Sequence, residues 1–310
     1  MAEARDAPSL HGMRARSLVL GGAVVALGIA LTATAQPARQ AAAVVPEREL
    51  AVNGARMLIA TRRIRPREAR GLVPALERAY DRMERVAGRV PTPLPASLVG
   101  LDGALGVEPP GDGPAESGVV FLHGFGGCWA APCWHVAHAM RSARPVTLCP
   151  SIGPEGDWWT AEGGATVDRA LDALHARGIE RVYLAGLSNG AIGAATHAPS
   201  RVDRLDGLVL LSGTSTGAPP PRIPVFALHA RGDTMTPFAR TRRYVRRAGR
   251  RGTFVELPGN HFAFLDRYDH AERAIARWVA SSGPGPEEAS MLRSRWPMPR
   301  AGSTRRSPRR

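Results

Sequence analysis

Apolar positions along this chain keep two different rhythms. Within residues 46–88, Leu72, Val73, Leu76, Ala79, Tyr80, Met83 and Val86 recur at helical spacing, which gathers their side chains on one buried face. A second helix is expected to begin near Pro46. Across residues 91–117 proline and glycine dominate, which argues for an extended linker or loosely packed strands. Beyond that stretch the rhythm changes. Short apolar runs at Val119, Val146, Val182, Val209, Val225 and Phe254 read as six buried strands of a mostly parallel α/β sheet flanked by helices.

The run Val182, Tyr183, Leu184, Ala185 leads directly into Gly186, Leu187, Ser188, Asn189, Gly190, and this into the small residues 191–195. A serine aimed into a cleft from so tight a turn needs neighbours two places before and after it with little or no side chain. Glycine meets that need. Gly190, Ala191, Gly193, Ala194 and Ala195 would let the following helix pack close against the sheet, so the order is strand, elbow, helix. Ser188 is therefore a candidate nucleophile. The chain carries its own control, because Gly213, Thr214, Ser215, Thr216 and Gly217 repeat the spacing after another apolar run. That copy leads into Pro219, Pro220 and Pro221, which cannot start a close-packed helix there. Ser215 is expected to be a loop serine.

A serine hydroxyl at its own pKa is a poor nucleophile. It needs a base to take its proton and a carboxylate to hold that base in the right tautomer. After the run 225–228, Asp233 falls on a glycine-led turn, and after the run 253–257 come Pro258, Gly259, Asn260 and His261. Ser188, Asp233 and His261 thus follow one another in the chain, each at a strand end where a parallel sheet exposes its loops. His229 also ends a strand and is the rival base, although it precedes the acid.

Taken together, these motifs make residues 118–281 resemble the catalytic core of the α/β-hydrolase superfamily, in the manner of a serine esterase without a cap. The run 118–122 continues into His123, Gly124, Phe125, Gly126 and Gly127, similar to the His-Gly oxyanion loop of that family. The resemblance implies that the backbone N–H groups of Phe125 and Asn189 hold the oxyanion, each such donor being worth about 3 to 4 kcal/mol. It also implies that His123 braces the loop. The reaction it implies is cleavage of an ester or related acyl bond through a covalent acyl-enzyme, with no cofactor. Peptidase, thioesterase and cofactor-free perhydrolase chemistry can use the same triad, and a catalytically idle scaffold is the alternative from another class. Where family members carry a lid, residues 214–224 offer only a proline-rich loop, so an open site is expected unless the N-terminal helices fold over it. Trp158 and Trp159, after the Val146 strand, either line the substrate pocket or pack in the core.

Composition adds bounds. With 310 residues, 44% of them hydrophobic, there is room for one core domain plus appendages. A net charge of +14 and a pI near 11.3 would suit a polyanion, but every basic residue is arginine, which points to coding bias. No recognition motif accompanies the charge, so the expected partner is a small ester-type substrate and not nucleic acid. Histidine and cysteine spacings fit no metal site, and no dinucleotide or phosphate-loop glycine pattern occurs.

Residues 17–38 carry no charge, follow Arg14 and Arg16, and include Ala33, Thr34 and Ala35. They read either as a signal peptide cleaved after residue 35 or as an uncleaved membrane anchor, with the catalytic domain outside the cytoplasm in both cases. In an oxidising compartment Cys128 and Cys133 could pair, leaving Cys149 over, or remain buried thiols. His135, His138, His175 and His270 read as exposed imidazoles, and His197 as the cap of the helix after the elbow. The expected organisation is an export or anchor segment at 1–35, a helical extension and linker at 46–117, the catalytic domain at 118–281, and a disordered basic tail at 283–310.

Overall fold

The computed structural model describes residues 46–88, 105–109, 111 and 113–282. The uncharged segment 17–38 and the tail 283–310 lie outside the described residues. Among the described residues no helix is long and apolar enough to cross a membrane.

Seven strands form one sheet, and six of them occupy the expected apolar runs. They are β1 (Leu105–Val107), β2 (Ser117–Leu122), β3 (Pro145–Cys149), β4 (Val182–Leu187), β5 (Gly207–Leu211), β6 (Val225–Ala230) and β7 (Gly252–Leu257). Their order is β1-β3-β2-β4-β5-β6-β7. All neighbours run parallel except β1, which pairs antiparallel with β3 through Leu105 opposite Cys149. This edge strand adds a seventh, antiparallel member to the six parallel strands expected. Its three residues sit in the proline- and glycine-rich stretch, too short to show any alternation of their own.

Helices cover both faces, which is why the central strands read as unbroken apolar runs instead of alternating ones. Successive strand residues serve opposite layers. Val119 and Phe121 join one core with Val136 and Ala139 of α4 (Ala130–Ala139) and Ile275 and Trp278 of α9 (Tyr268–Ser282). Val120 and Leu122 join the other with Leu171 of α5 (Ala161–Ala176), Ala194 of α6 (Asn189–His197) and Val245 of α7 (Phe238–Arg247). The short helix α8 (Ala263–Asp266) precedes α9.

The N-terminal segment forms α1 (Glu47–Ala60), α2 (Pro66–Ala69) and α3 (Leu72–Ala87). Of the stripe expected on α3, Leu72, Ala79, Tyr80 and Met83 are buried and Val73 and Leu76 half-buried, whereas Val86, in the last turn of the helix, is 71% exposed. Ala79 enters the main core, while Tyr80 and Met83 pack with Ala131 and Trp134 of α4. The segment is thus docked on the sheet domain.

The cysteines pair differently from the expected bridge. Cys133 on α4 is bonded to Cys149 at the end of β3. Because α4 begins at Ala130, it turns Cys133 inward, where both it and Cys149 are fully buried. Cys128 lies before the helix, and its thiol donates to the Cys149 carbonyl at 3.2 Å. Burial pushes that thiol up to about 12, so it stays protonated.

Candidate active site

Ser188 joins β4 to α6 with φ 54° and ψ −116°. Side-chain-bearing residues rarely hold such a conformation, at a cost of roughly 1–3 kcal/mol, unless their surroundings over-determine it. Here they do. A Cβ on Gly186 would lie 2.2 Å from the Gly190 carbonyl oxygen, and one on Gly190 would lie 1.9 Å from the carbonyl oxygen of Leu122 in β2. Both glycines are needed because backbone meets backbone. Ser188 N donates to Leu211 O of β5 at 2.8 Å, and Ile192 N donates to Ser188 O at 3.1 Å, which ties the turn to sheet and helix together.

The second copy of the motif has another structure. Ser215 Oγ accepts a hydrogen bond from Ala218 N at 3.2 Å, a local loop contact. A Cβ on Gly213 would come within 2.6 Å of Ser188 O, so the first glycine of this copy makes room for the serine of the other.

The structure brings Ser188, His261 and Asp233 together. Ser188 Oγ lies 2.9 Å from His261 Nε2, and His261 Nδ1 lies 2.8 Å from Asp233 Oδ2. With Nδ1–H donated to the carboxylate, Nε2 carries the lone pair that faces the hydroxyl. Asp233 is itself heavily partnered. Its Oδ1 accepts from Met235 N at 2.8 Å and Thr236 N at 2.9 Å, while the Thr236 hydroxyl lies 2.7 Å from Oδ2. Burial alone would raise its pKa, but the hydrogen bonds from His229, His261 and Thr236 outweigh that and hold the carboxyl well below the usual carboxylate range.

His229, the rival base, is drawn to the same carboxylate and not to the serine. Its Nε2 lies 2.9 Å from Asp233 Oδ2, and its Nδ1 lies 2.9 Å from the hydroxyl of Thr241 on α7. An imidazole protonated on Nε2 and accepting the threonine proton satisfies both contacts. The sequence pattern marked His229 as a strand-end histidine but gave no sign that two imidazoles share one aspartate.

The segment 123–127 lies against the elbow, for a Cβ on Gly124 would sit 3.2 Å from Ser188 Cβ and equally close to Leu187 O. Asn189 opens α6, where a backbone N–H has no partner inside its own helix. The side chain of Asn189 donates to Glu155 O at 2.9 Å, and Gly126 N donates to Pro154 O at 2.7 Å, so the 153–157 loop steadies Asn189 and the residue next to Phe125. The side chain of Phe125 is exposed. His123 Nδ1 donates to Gly124 O at 2.7 Å, a bracing contact within the loop.

The two tryptophans separate. Trp158 is fully buried, so of its two expected places, pocket wall or core, it takes the core. Its indole N–H donates to His123 O at 2.9 Å, and a Cβ on Gly193 would lie 2.1 Å from its Cβ. Gly193 thus accommodates Trp158, where the sequence suggested a close approach to the sheet. Trp159 is 45% exposed. Two other histidines also differ from expectation. His135 is buried, with its Nδ1 donating to Ala131 O at 2.7 Å. His197 lies 2.6 Å from Trp158 O through Nε2, so it ties helix to loop instead of capping the helix.

The residue that sequence reasoning missed is Glu68 on α2. It is fully buried, its Oε1 accepts from Thr234 N at 2.6 Å and Thr234 Oγ1 at 2.7 Å, and its Oε2 accepts from His261 N at 2.7 Å. Only its place among the arginines of 62–70 was visible in the chain, and that reads as a solvated surface.

No protein-family profile matches the sequence, and no curated protein is similar to it. Solved structures are. A Xanthomonas campestris protein described as an a/b serine hydrolase without lid aligns with a TM-score of 0.50 and 16% identity, over 61% of this chain and 94% of its own. A monoacylglycerol lipase from Paleococcus ferrophilus aligns at 0.48 and 16% identity, over 58% of this chain and 100% of its own. The esterase PE8 aligns at 0.49 and 18% identity, over 56% of this chain and 97% of its own. At such identities the likeness is one of fold.

Proposed function

From the α/β-hydrolase fold, which this chain has, we propose a serine hydrolase that cleaves an ester or related acyl bond. The observation that carries the proposal is the hydrogen-bonded line Asp233–His261–Ser188, with the serine on a strained elbow. Ser188 Oγ attacks the acyl carbon while its proton passes to His261 Nε2. Asp233 stays ionised, holds the imidazole by Nδ1 and stabilises the imidazolium that forms. The backbone N–H groups of Phe125 and Asn189 take the developing oxyanion. His261 then returns the proton to the leaving alcohol, which leaves an acyl-serine. Water, deprotonated by the same imidazole, hydrolyses that acyl-serine and restores the hydroxyl.

Two finer readings belong to this proposal. Substrates are short or soluble esters, because the β5–β6 connection at 212–224 holds no helix of eight or more residues that could close over an acyl chain. The enzyme works outside the cytoplasm, by virtue of the uncharged segment 17–38 behind Arg14 and Arg16, whether that segment is cleaved or retained.

Fluorophosphonate labelling followed by peptide mapping tests the chemistry, with the label expected on Ser188. A series of p-nitrophenyl esters tests the substrate class. Each methylene that finds an apolar pocket contributes about 0.8 kcal/mol, so kcat/KM would climb steadily with chain length if a long acyl groove existed. The climb is expected to stop within the first few carbons. N-terminal sequencing of the fractionated protein tests export, and a soluble cytoplasmic product retaining residue 1 would overturn it.

A further inference from the structure

We propose that Glu68 is a positioning residue that sets the distance between the acid loop and the base loop, so that the triad is assembled only when the N-terminal segment is docked. The inference rests on the serine-hydrolase reading of Ser188, His261 and Asp233. Glu68 offers two carboxylate oxygens to three donors, and the donors belong to two separate loops. Oε1 takes the amide and hydroxyl of Thr234, the residue after Asp233, while Oε2 takes the amide of His261 itself. One buried carboxylate therefore fixes the backbone of the acid loop relative to that of the base.

Other contacts converge on the same two loops. Asn260, immediately before His261, donates through Nδ2 to the carbonyls of Glu68 at 3.1 Å and Arg70 at 3.3 Å. Arg65 Nη1 donates to Thr234 O at 2.7 Å. Phe262, immediately after His261, packs with Ala55, Ile64 and Leu72 of the N-terminal segment. The base is thus held on both sides by residues that precede the sheet domain in the chain. A carboxylate that serves only stability would not need to straddle the loops of the triad.

The same segment supplies a built-in control. Glu47 on α1 is equally buried, and it accepts from Tyr80 OH at 2.7 Å, Ala130 N at 2.8 Å and Ala131 N at 3.2 Å. It staples the segment to α4 and touches neither the acid loop nor the base loop.

Glu68→Gln and Glu47→Gln separate positioning from docking. The amide in Glu68→Gln must turn its NH2 toward Thr234 N–H or His261 N–H, where donor meets donor. A displacement of about 1 Å in a catalytic group can cost roughly 10²-fold, so kcat is expected to fall by about that factor, with KM within about twofold. Glu47→Gln is expected to lower Tm, with kcat unchanged at temperatures well below that transition, where the segment stays docked. Thr234→Val, which removes one donor and keeps Glu68, is expected to fall between wild type and Glu68→Gln. It carries the test if Glu68→Gln does not fold. The far-downfield proton resonance of the His261–Asp233 hydrogen bond gives a readout without turnover. It should shift or broaden in Glu68→Gln and Thr234→Val and stay in place in Glu47→Gln, also in a Ser188→Ala background. Wild-type kcat and an unmoved resonance in Glu68→Gln, or in Thr234→Val if that is the variant that folds, would overturn the proposal. Full turnover in Ser188→Ala would instead defeat the hydrolase reading on which it rests.

Discussion

The turns at 186–190 and 213–217 share one five-position spacing and differ in what presses on them. At Gly190 an added Cβ would stand 1.9 Å from a β2 carbonyl oxygen, whereas at Gly217 it would meet nothing within 4 Å. Ser188 holds φ 54°, and Ser215 is not among the residues with positive φ. The first turn opens a helix, and the second runs into three prolines. What distinguishes the first turn is therefore the closeness of surrounding backbone and not the glycines as such. The copies are also linked, since Gly213 leaves the space that Ser188 O fills.

The largest effect that could break this comparison is on turnover. Ser188→Ala is expected to lower kcat by roughly 10⁶-fold, the scale seen when a triad nucleophile is removed, and Ser215→Ala to leave it unchanged. Ester hydrolysis by the two purified variants decides. Loss in the second with retention in the first would exchange their roles.

Next in size is Asp233, the acid proposed for the first turn. Asp233→Asn is expected to cost about 10⁴ in kcat, because the amide favours the wrong imidazole tautomer. The loss should exceed any fall in the folded fraction, since the asparagine NH2 would also face donors from His229, His261 or the 235–236 amides. Turnover within tenfold of wild type would mean that another group orients His261.

Much of the site was legible because its motifs are local. Strand, elbow and helix are contiguous in residues 182–197, and Asp233 and His261 each follow their strand within a few residues, so periodicity and turn chemistry locate them. Six strands were legible for the same reason, as parallel strands buried on both faces leave long apolar runs. What escaped depends on residues distant in the chain. Glu68 meets His261 across 193 positions, and nothing in its neighbours marks it as buried. Trp158 is buried only because Gly163 and Gly193, on two different helices, leave room for it, a Cβ on either coming within 2.1 Å of it. The cysteine bridge followed helix phase, and Cys133 faces β3 once α4 is known to start at Ala130.

A third prediction acts on stability and sharpens the steric contrast. Gly190→Ala forces a methyl into the Leu122 carbonyl and is expected to destabilise by about 3 kcal/mol, the upper range for overpacking against an unyielding wall. Gly217→Ala should stay within about 0.5 kcal/mol. Gly213→Ala, with 2.6 Å to Ser188 O, is expected between them and should also reduce turnover. Urea unfolding of the three variants gives the order, and a Gly190→Ala protein as stable as wild type would show that the elbow can open without strain.

The last effect comes from acid, and it separates the walls of the two turns. Behind the first lies His123, whose pKa burial lowers from 6.5 to about 4. Its Nδ1 bond to Gly124 requires only the neutral ring, and Nε2 is buried with no partner among the described residues. The unfolded chain takes up a proton there that the folded chain refuses. This contribution is therefore complete above pH 6.5 and is lost as pH falls toward about 4, at no more than about 1.4 kcal/mol per pH unit. Behind the second turn, the Ser215–Ala218 contact contains no titrating group. Urea midpoints between pH 7 and 4 should fall less steeply in His123→Gln than in wild type, by up to one proton. Amide exchange at Ala218, corrected for its intrinsic pH dependence, should respond less to acid than exchange at Ile192, which is bonded to Ser188 O. Equal acid sensitivity at both amides would mean that the two turns unfold together and that the contrast between them is confined to sterics.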